Sequence, residues 1–219
     1  MMTQFRIGIL LLMLLLVHAA SSQRDDIVLQ KEKKSNSQKA VVDLKNGVLV
    51  LRLKTNHRKI AILEQNAKST RLSQKQRDRY KRILDGTIQR RDQFNSALIS
   101  ALMDSFSFCP VQVIFDTSTT SLRKGLRKGI FLSKDMKIDP MQSIDPQTPV
   151  FLLNFQENNS RFPFDILVIQ RLSEKLTEPF PYFVEVRESW INDVNTPGAI
   201  RAAARLDRKL WKYYERVTQ

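Results

Sequence analysis

The chain has 219 residues, a formal net charge of +14 and 42% hydrophobic residues, including twelve Phe. This composition predicts a packed core and excludes wholesale disorder. It contains one cysteine, Cys109, which excludes an internal disulfide, so burial of apolar side chains must stabilise the fold.

The first 22 residues have the pattern of a secretory signal peptide. Arg6 precedes an apolar run from Ile7 to Val17, and small residues follow as far as Ser22. The run is only about eleven residues long, whereas a helix that spans a bilayer needs roughly twenty. We therefore expect residues 1–22 to be removed and the mature chain to be periplasmic or secreted, without a transmembrane span.

The next elements follow from polarity and spacing. Residues 23–43 are polar and charged, and we expect them to form a flexible leader. Asn46-Gly47 predicts a turn, and the run from Val48 to Leu53 predicts a strand. The segment from His57 to Phe106 has no Pro and has apolar residues at helical spacing towards both ends. We expect two helices here, with its single glycine, Gly86, as the candidate break.

Strand patterns dominate the segment after Phe106. Short apolar or β-branched runs between turn-rich connectors predict five more strands, at Cys109 to Asp116, Gly129 to Leu132, Pro149 to Phe155, Phe164 to Gln170 and Pro181 to Arg187. The short connector from Leu172 to Glu178 favours antiparallel pairing of the two strands that it joins. Thr196 and Pro197 suit the N-cap and first position of a final amphipathic helix.

These elements predict an α+β fold with a mainly antiparallel sheet of about five to six strands, a long N-terminal helical region and a C-terminal helix. We expect a single domain over residues 44–219, because no Pro- or Gly-rich linker separates the helices from the strands. Within it, residues 44–108 hold the first strand and the basic helical region. Residues 109–195 hold the other strands, and residues 196–219 form the final helix.

Three motifs carry a resemblance to a known family. They are Asn46 to Thr55 (NGVLVLRLKT), Phe106 to Val111 (FSFCPV) and Pro179 to Val184 (PFPYFV). In this order they resemble an uncharacterised family of small exported proteins of Bacteroidetes bacteria, over the chain from about Leu44 to the C-terminal helix. The resemblance implies a Gram-negative envelope or secreted setting. It brings no activity, cofactor or catalytic residue.

The positive charge is concentrated in the helical region. Thirteen Lys or Arg residues and four acids lie between Arg52 and Asp92, whereas residues 109–195 hold ten basic and eleven acidic side chains. Such asymmetry is typical of proteins that bind an anionic partner. We expect an anion-binding surface formed by Arg71, Lys75, Arg77, Arg79, Lys81, Arg82, Arg90 and Arg91. The alternative interpretation is that these residues lie on a solvent-exposed helix of a generally basic protein and bind no partner.

The expected partner is an anionic envelope component or another envelope protein. We do not expect nucleic acid, because aromatic residues for stacking are sparse in the basic region and the chain is exported. A second basic group, Arg123, Lys124, Arg127 and Lys128, stands beside two glycines but lacks the spacing of a phosphate-binding loop. We expect this group to be a solvated connector.

No cofactor or metal is expected. The chain lacks the His and Cys spacings of a zinc site, and Asp135, Asp139 and Asp145 are typical of turn-forming acids. These features favour a non-enzymatic interaction protein with a basic helical surface.

An envelope hydrolase or transferase is the alternative function. It would use Cys109 with His57, because His18 leaves with the signal peptide, or a pair of strand carboxylates. The candidate carboxylates are Asp116, Asp165, Glu185 and Glu188. Cys109 precedes Pro110 at the start of a predicted strand, away from any helix N-terminus, which favours a buried apolar role.

Overall fold

The computed structural model describes residues 28–156, 165–186 and 196–219. Its elements, in chain order, are α1 (28–45), β1 (Val48–Leu53), α2 (His57–Lys68), α3 (Gln74–Ser105), β2 (Val111–Phe115), a 3₁₀-helix (Asp116–Ser118), α4 (Thr119–Arg123), β3 (Val150–Gln156), β4 (Asp165–Arg171), β5 (Phe183–Val186) and α5 (Thr196–Thr218). The predicted α+β class, the long helix and the C-terminal helix are confirmed. The expected signal peptide, residues 1–22, lies outside the described residues.

The described strands form one mixed sheet in the order β2-β1-β3-β4-β5. β1 lies between β2 and β3 and pairs in parallel with both, whereas β4 and β5 add in antiparallel orientation. The sheet is therefore not mainly antiparallel. The physical reason is that long crossovers join β1 to β2 and β2 to β3, and each returns the chain to the starting edge of the sheet. The short connector after β4 gives the antiparallel pair that its length predicts.

The two faces of the sheet are covered differently. Leu49 and Leu51 of β1 point to a face that is covered by α1, α3 and α5, which we call the helical face. Val50 points to the opposite face, where it packs with Leu122 of α4 and Phe131 of the connection to β3. We call this second side the loop face. The crossovers on either side of β2 thus lie on opposite faces of the sheet.

The expected flexible leader is wrong for residues 28–43, which belong to α1. Ala40, Val41 and Leu44 of this helix are buried against the helical face. Asp43 Oδ2 accepts a hydrogen bond from Arg171 Nη2 of β4 at 2.7 Å, within an ion pair. The sequence conceals this helix because its narrow apolar side is outnumbered by polar residues on its exposed side. Residues 23–27 of the expected leader are not described.

The two predicted helices between residues 57 and 106 are confirmed, but the break is not at Gly86. The chain turns at residues 69–73, and Ser73 caps α3 in a reciprocal arrangement with Gln76. The Ser73 backbone N–H donates to Gln76 Oε1 at 2.9 Å. Because a capping box satisfies two free N–H groups at a helix start, it defines the break better than a glycine does.

Residues 129–132 form no regular strand, contrary to the sequence prediction. Ile130 and Phe131 are buried in the core of the loop face. Leu132 makes an isolated bridge to Ile138. The run is apolar because it covers the sheet, and not because it extends it.

Two glycines allow a matched test of the packing. A Cβ at Gly47 would overlap the Pro149 carbonyl oxygen and lie 2.7 Å from the Asp43 carbonyl oxygen, whereas at Gly86 it would make ordinary contact with Arg90 Nη2 at 3.9 Å. We expect Gly47→Ala to lower the free energy of unfolding by about 1–3 kcal/mol, because rigid backbone must move. We expect Gly86→Ala to raise it by about 0.5–1 kcal/mol, because Ala favours a helix interior. Urea unfolding of both variants measures the difference, and equal shifts would contradict the close approach at Gly47.

Candidate anion-binding sites

Four of the eight predicted anion-binding residues lie together on one side of α3. At 100° per residue, Lys75, Arg79, Arg82 and Arg90 fall within about 80° of one another on the helix circumference. All four side chains are exposed. We call these four residues the basic stripe. The three aspartates of α3 that precede its buried half, at positions 78, 85 and 92, fall on the neighbouring side, together with Lys81.

The other four predicted residues do not join this stripe. Arg77 donates to the Leu72 carbonyl oxygen at 2.6 Å and so fastens the turn between α2 and α3. Arg91 pairs with Asp92 at 2.8 Å and donates to the Thr55 carbonyl oxygen at 3.2 Å. These two arginines therefore stabilise the fold. Arg71 lies in the α2–α3 turn, and Lys81 is exposed on another side of α3.

The basic stripe lies on a part of α3 that extends beyond the sheet. The α3 residues that join the hydrophobic core run from Leu98 to Leu102, in its second half. Asn95 Nδ2 donates to the Lys54 carbonyl oxygen at 3.0 Å, which fixes the point where α3 passes the end of β1. Residues 74–90 continue for about 25 Å past this point, with α2 packed alongside. We call α2 and residues 74–90 the helical arm.

A second basic region lies at the root of the helical arm. The carboxyl ends of the parallel strands β1, β2 and β3 lie side by side, and a cavity of about 400 Å³ opens at this end of the sheet. We call it the edge crevice, and its lining residues are Arg52, Lys54, Asn56, His57, Arg58, Lys59, Asp116, Asn154 and Phe155. No local sequence pattern indicates this site, since three separate segments contribute to it. The one visible signal is Arg52, a charged residue inside an otherwise apolar strand.

The loop between β1 and α2 is held on both sides. Thr55 donates to Asp116 Oδ1 through its hydroxyl at 2.6 Å and through its backbone N–H at 3.3 Å. Arg91 and Asn95 hold the loop's carbonyl groups from the helical face. Asn56 then adopts a left-handed conformation, with φ 53°, and its side chain makes no cap hydrogen bond to α2, whereas the His57 ring bonds the Thr55 hydroxyl through Nδ1 at 3.2 Å. The first N–H groups of α2 therefore border the crevice without a side-chain cap.

Arg52 and Asn154 lie side by side on the loop face of the sheet. They are register partners in the parallel pair of β1 and β3. Asn154 is 4% exposed, and within the described structure its buried Oδ1 has no hydrogen-bond partner. The buried Arg52 Nε also lacks a partner there. Buried polar atoms are normally satisfied, so two adjacent exceptions beside a cavity require an explanation.

The structure does not bring Cys109 and His57 together. Cys109 lies at the start of β2, where the Pro110 carbonyl oxygen accepts from the Leu49 N–H. His57 begins α2, beyond the other end of β1. About 13 Å of strand separates these two edges. Cys109 is 7% exposed as a residue, and desolvation by burial raises the pKa of its thiol to about 12, so the thiol is protonated at neutral pH.

The described candidate carboxylates are also apart. Asp116 follows β2, whereas Asp165 begins β4, three strands away, which is about 14 Å across the sheet. Glu185 is opposite Ile166, so it lies on the loop face, whereas Asp165 is buried on the helical face. Glycosidase carboxylates lie roughly 5–9.5 Å apart, so these residues form no such pair. Glu188 lies outside the described residues.

The predicted turn-forming acids occupy turns. Asp139 and Asp145 accept hydrogen bonds from the backbone N–H groups two residues further along the chain, at 2.9 and 2.8 Å.

Nowhere in the described structure do three His, Cys, Asp or Glu side chains gather as a metal site would require. Among the described helices, none is both long enough and apolar enough to cross a membrane. No protein-family model, curated protein or solved structure matches the chain.

The burial of Cys109 gives a test of the thiol. We expect iodoacetamide at pH 8 to label the native protein slowly and the urea-unfolded protein rapidly, because the reactive species is the thiolate. The folded pKa is raised to about 12 from 9.0. The unfolded state therefore binds fewer protons between these values, and this contribution to stability falls as the pH rises. The free energy of unfolding of the wild type relative to Cys109→Ala should therefore decrease as the pH rises from 9.0 to about 12. Rapid labelling of the native protein would contradict the burial of the thiol.

Proposed function

We propose that the protein is exported and binds an extended anionic polymer of the cell envelope through the basic stripe of the helical arm. One observation carries this proposal: the four cations of the stripe are exposed on the side of α3 that points away from its packed side. They extend over about 22 Å along a helix. A line of cations at this spacing suits a flexible polyanion that contacts several of them at once.

The surroundings of the stripe favour a polymer over a lipid surface. An amphipathic helix that lies on a membrane inserts a wide apolar side. The apolar side of α3 is turned towards α2 and the core, as the burial of Thr87 and Leu98 indicates. The exposed stripe instead has Gly86, Gln89 and Gln93 between and beside its arginines, and Ile83 is the single large apolar side chain described at this surface, far short of a wide apolar side. Contact with an anionic surface here is therefore electrostatic, without insertion.

The aromatic residues of α3 do not favour single-stranded nucleic acid. Tyr80 lies about 80–160° from the stripe on the helix circumference, on the side of the buried Thr87. Phe94 packs edge-to-face on Phe155, with ring centroids 4.8 Å apart. Proteins that bind single strands usually stack bases on exposed aromatic side chains next to their cations. The stripe offers cations alone, which supports a polyanion without stacking bases.

The stripe can be tested by neutralising its charges. We expect the variant Lys75→Gln, Arg79→Gln, Arg82→Gln and Arg90→Gln to bind dextran sulfate at least about tenfold more weakly at low salt. The slope of log Kd against log salt should fall by about one per contact removed. Gln has nearly the same helix propensity as Lys and Arg, so the arm should keep its structure. Fluorescence anisotropy with labelled polymer measures both quantities.

The matched control removes the same charge elsewhere. Arg123→Gln, Lys124→Gln, Lys128→Gln and Lys134→Gln change four exposed cations outside the arm. We expect this variant to retain wild-type affinity, so equal losses in the two variants would show that only net charge matters. Vesicles of phosphatidylglycerol and phosphatidylcholine give the second comparison. Binding to them that exceeds polymer binding would overturn the assignment to a polymer.

Export has its own test. When the full-length chain is produced in a Gram-negative host, we expect the recovered protein to begin between Ala20 and Gln23, after removal of the signal peptide. The measurement is the intact mass together with N-terminal sequencing of protein from the periplasm or medium. A chain that keeps residues 1–22 and stays in the cytosol would contradict export. Binding by the basic stripe would then have to serve an intracellular polyanion.

A further inference from the structure

The edge crevice has the composition of a binding site for a small anion. We propose that it binds a phosphate group, either free phosphate or the phosphate of a small ester, between Arg52, Asn154 and the start of α2. This site is separate from the basic stripe. Its residues belong to the carboxyl ends of the parallel strands and to the loops that follow them, whereas the residues of the stripe all lie on the exposed side of α3.

Two buried polar atoms without described partners border the crevice. Asn154 is more than nine-tenths buried, lines the crevice and leaves its Oδ1 without a described partner. Its register partner Arg52 also lines the crevice and leaves its buried Nε unpaired in the same way. Buried polar atoms that the protein leaves unpaired are normally satisfied by ordered water, an ion or a ligand, and here both atoms border a cavity that can hold one. The planar guanidinium matches the oxygens of a phosphate group.

The main chain adds donors on another side of the cavity. The left-handed Asn56 turns the chain into α2, and the first N–H groups of that helix border the crevice without a described side-chain cap. A helix start carries a partial positive charge and free N–H donors, which together favour an anion. Arg58 and Lys59 in the first turn add full positive charges to the lining.

The acceptors in the crevice distinguish phosphate from sulfate. Asp116 lines the site, with Oδ1 engaged by Thr55, and Asn154 contributes its unpaired Oδ1. A group that carries only acceptor oxygens is repelled by these atoms. Near neutral pH inorganic phosphate carries an O–H that can donate to one of them, and a phosphate ester does so when it binds as its monoanion, whereas sulfate carries none. The mixture of cations and acceptors therefore favours phosphate.

The topology provides the space. The loop after β1 leads through α2 to α3 on the helical face, whereas the chain after β2 leads to α4 on the loop face. In open α/β sheets, ligands bind outside the carboxyl ends of strands where adjacent connections diverge in this way. The cavity of about 400 Å³ also lies within the size range of small-molecule sites. It is large enough for a small organic group attached to the phosphate.

The experiment is a titration of the full chain with inorganic phosphate, glycerol phosphate and sulfate at pH 7 and constant ionic strength. We expect both phosphate compounds to raise Tm in a saturable way and sulfate to have no saturable effect. The tighter of the two phosphate compounds identifies the source of the group. Equal stabilisation by sulfate, or by sodium chloride of the same ionic strength, would overturn the proposal.

Two substitutions test the named residues. We expect Arg52→Met and Asn154→Leu each to weaken phosphate binding at least about tenfold, because each removes a polar group at the centre of the site. Each should leave Tm without ligand unchanged or raised, since an unsatisfied buried atom is replaced by an apolar one. Arg52→Lys keeps the charge but loses the planar fork, and should bind with intermediate affinity.

The controls separate this site from a structural role and from the basic stripe. Lys128→Met changes an exposed cation outside the crevice and should bind phosphate like the wild type. The four-residue stripe variant should also keep phosphate binding, so the two proposals fail or succeed independently. A large fall in Tm for Asn154→Leu together with retained phosphate binding would show that the residue only supports the sheet, which would overturn the assignment.

Discussion

The fold depends on the burial of β1 between two parallel neighbours. Leu49 and Leu51 are covered by helices and Val50 by the opposite layer, so both faces of this central strand are removed from water. Each parallel pairing needs a long crossover, and the two crossovers must lie on opposite faces to cover both sides. Their divergence opens the edge crevice, and the first crossover forms the helical arm. The architecture of the core therefore determines where both basic regions lie.

Local sequence patterns predict the elements whose signal lies within one segment. The strand from Val48 to Leu53, the helix from Thr196 and the hairpin partner of β4 all follow from spacing, caps or connector length. Where the signal depends on distant contacts, prediction fails. The apolar side of α1 consists of only a few residues such as Ala40 and Leu44, which are informative only once the sheet is there to bury them. Ile130 and Phe131 match a strand pattern because apolar runs alone do not distinguish a strand from a buried loop.

The candidate sites show the same limit. Part of the basic stripe can be predicted from the sequence, because helical periodicity alone places Lys75, Arg79 and Arg82 on one side of a helix. The hydrogen bonds of Arg77 and Arg91 cannot be predicted from the sequence, since their acceptors are backbone carbonyl groups of the turns. The edge crevice requires the register of β1 and β3, which sets Arg52 beside Asn154, about a hundred positions further along the chain. No local pattern contains that pairing.

The two basic regions differ in how water and salt affect them. The cations of the stripe are exposed to solvent, so their attraction extends over roughly a Debye length of 8 Å and weakens as salt rises. At the crevice, Asn154 is almost completely buried and the Arg52 Nε is excluded from water, so interactions there are screened less and depend more on hydrogen-bond geometry. A solvated line of charge attracts many anions with little discrimination, whereas a partly buried set of donors and acceptors selects by shape and protonation. Because the arm begins at the crevice, the two regions lie next to each other on the protein and yet discriminate among anions on different physical grounds.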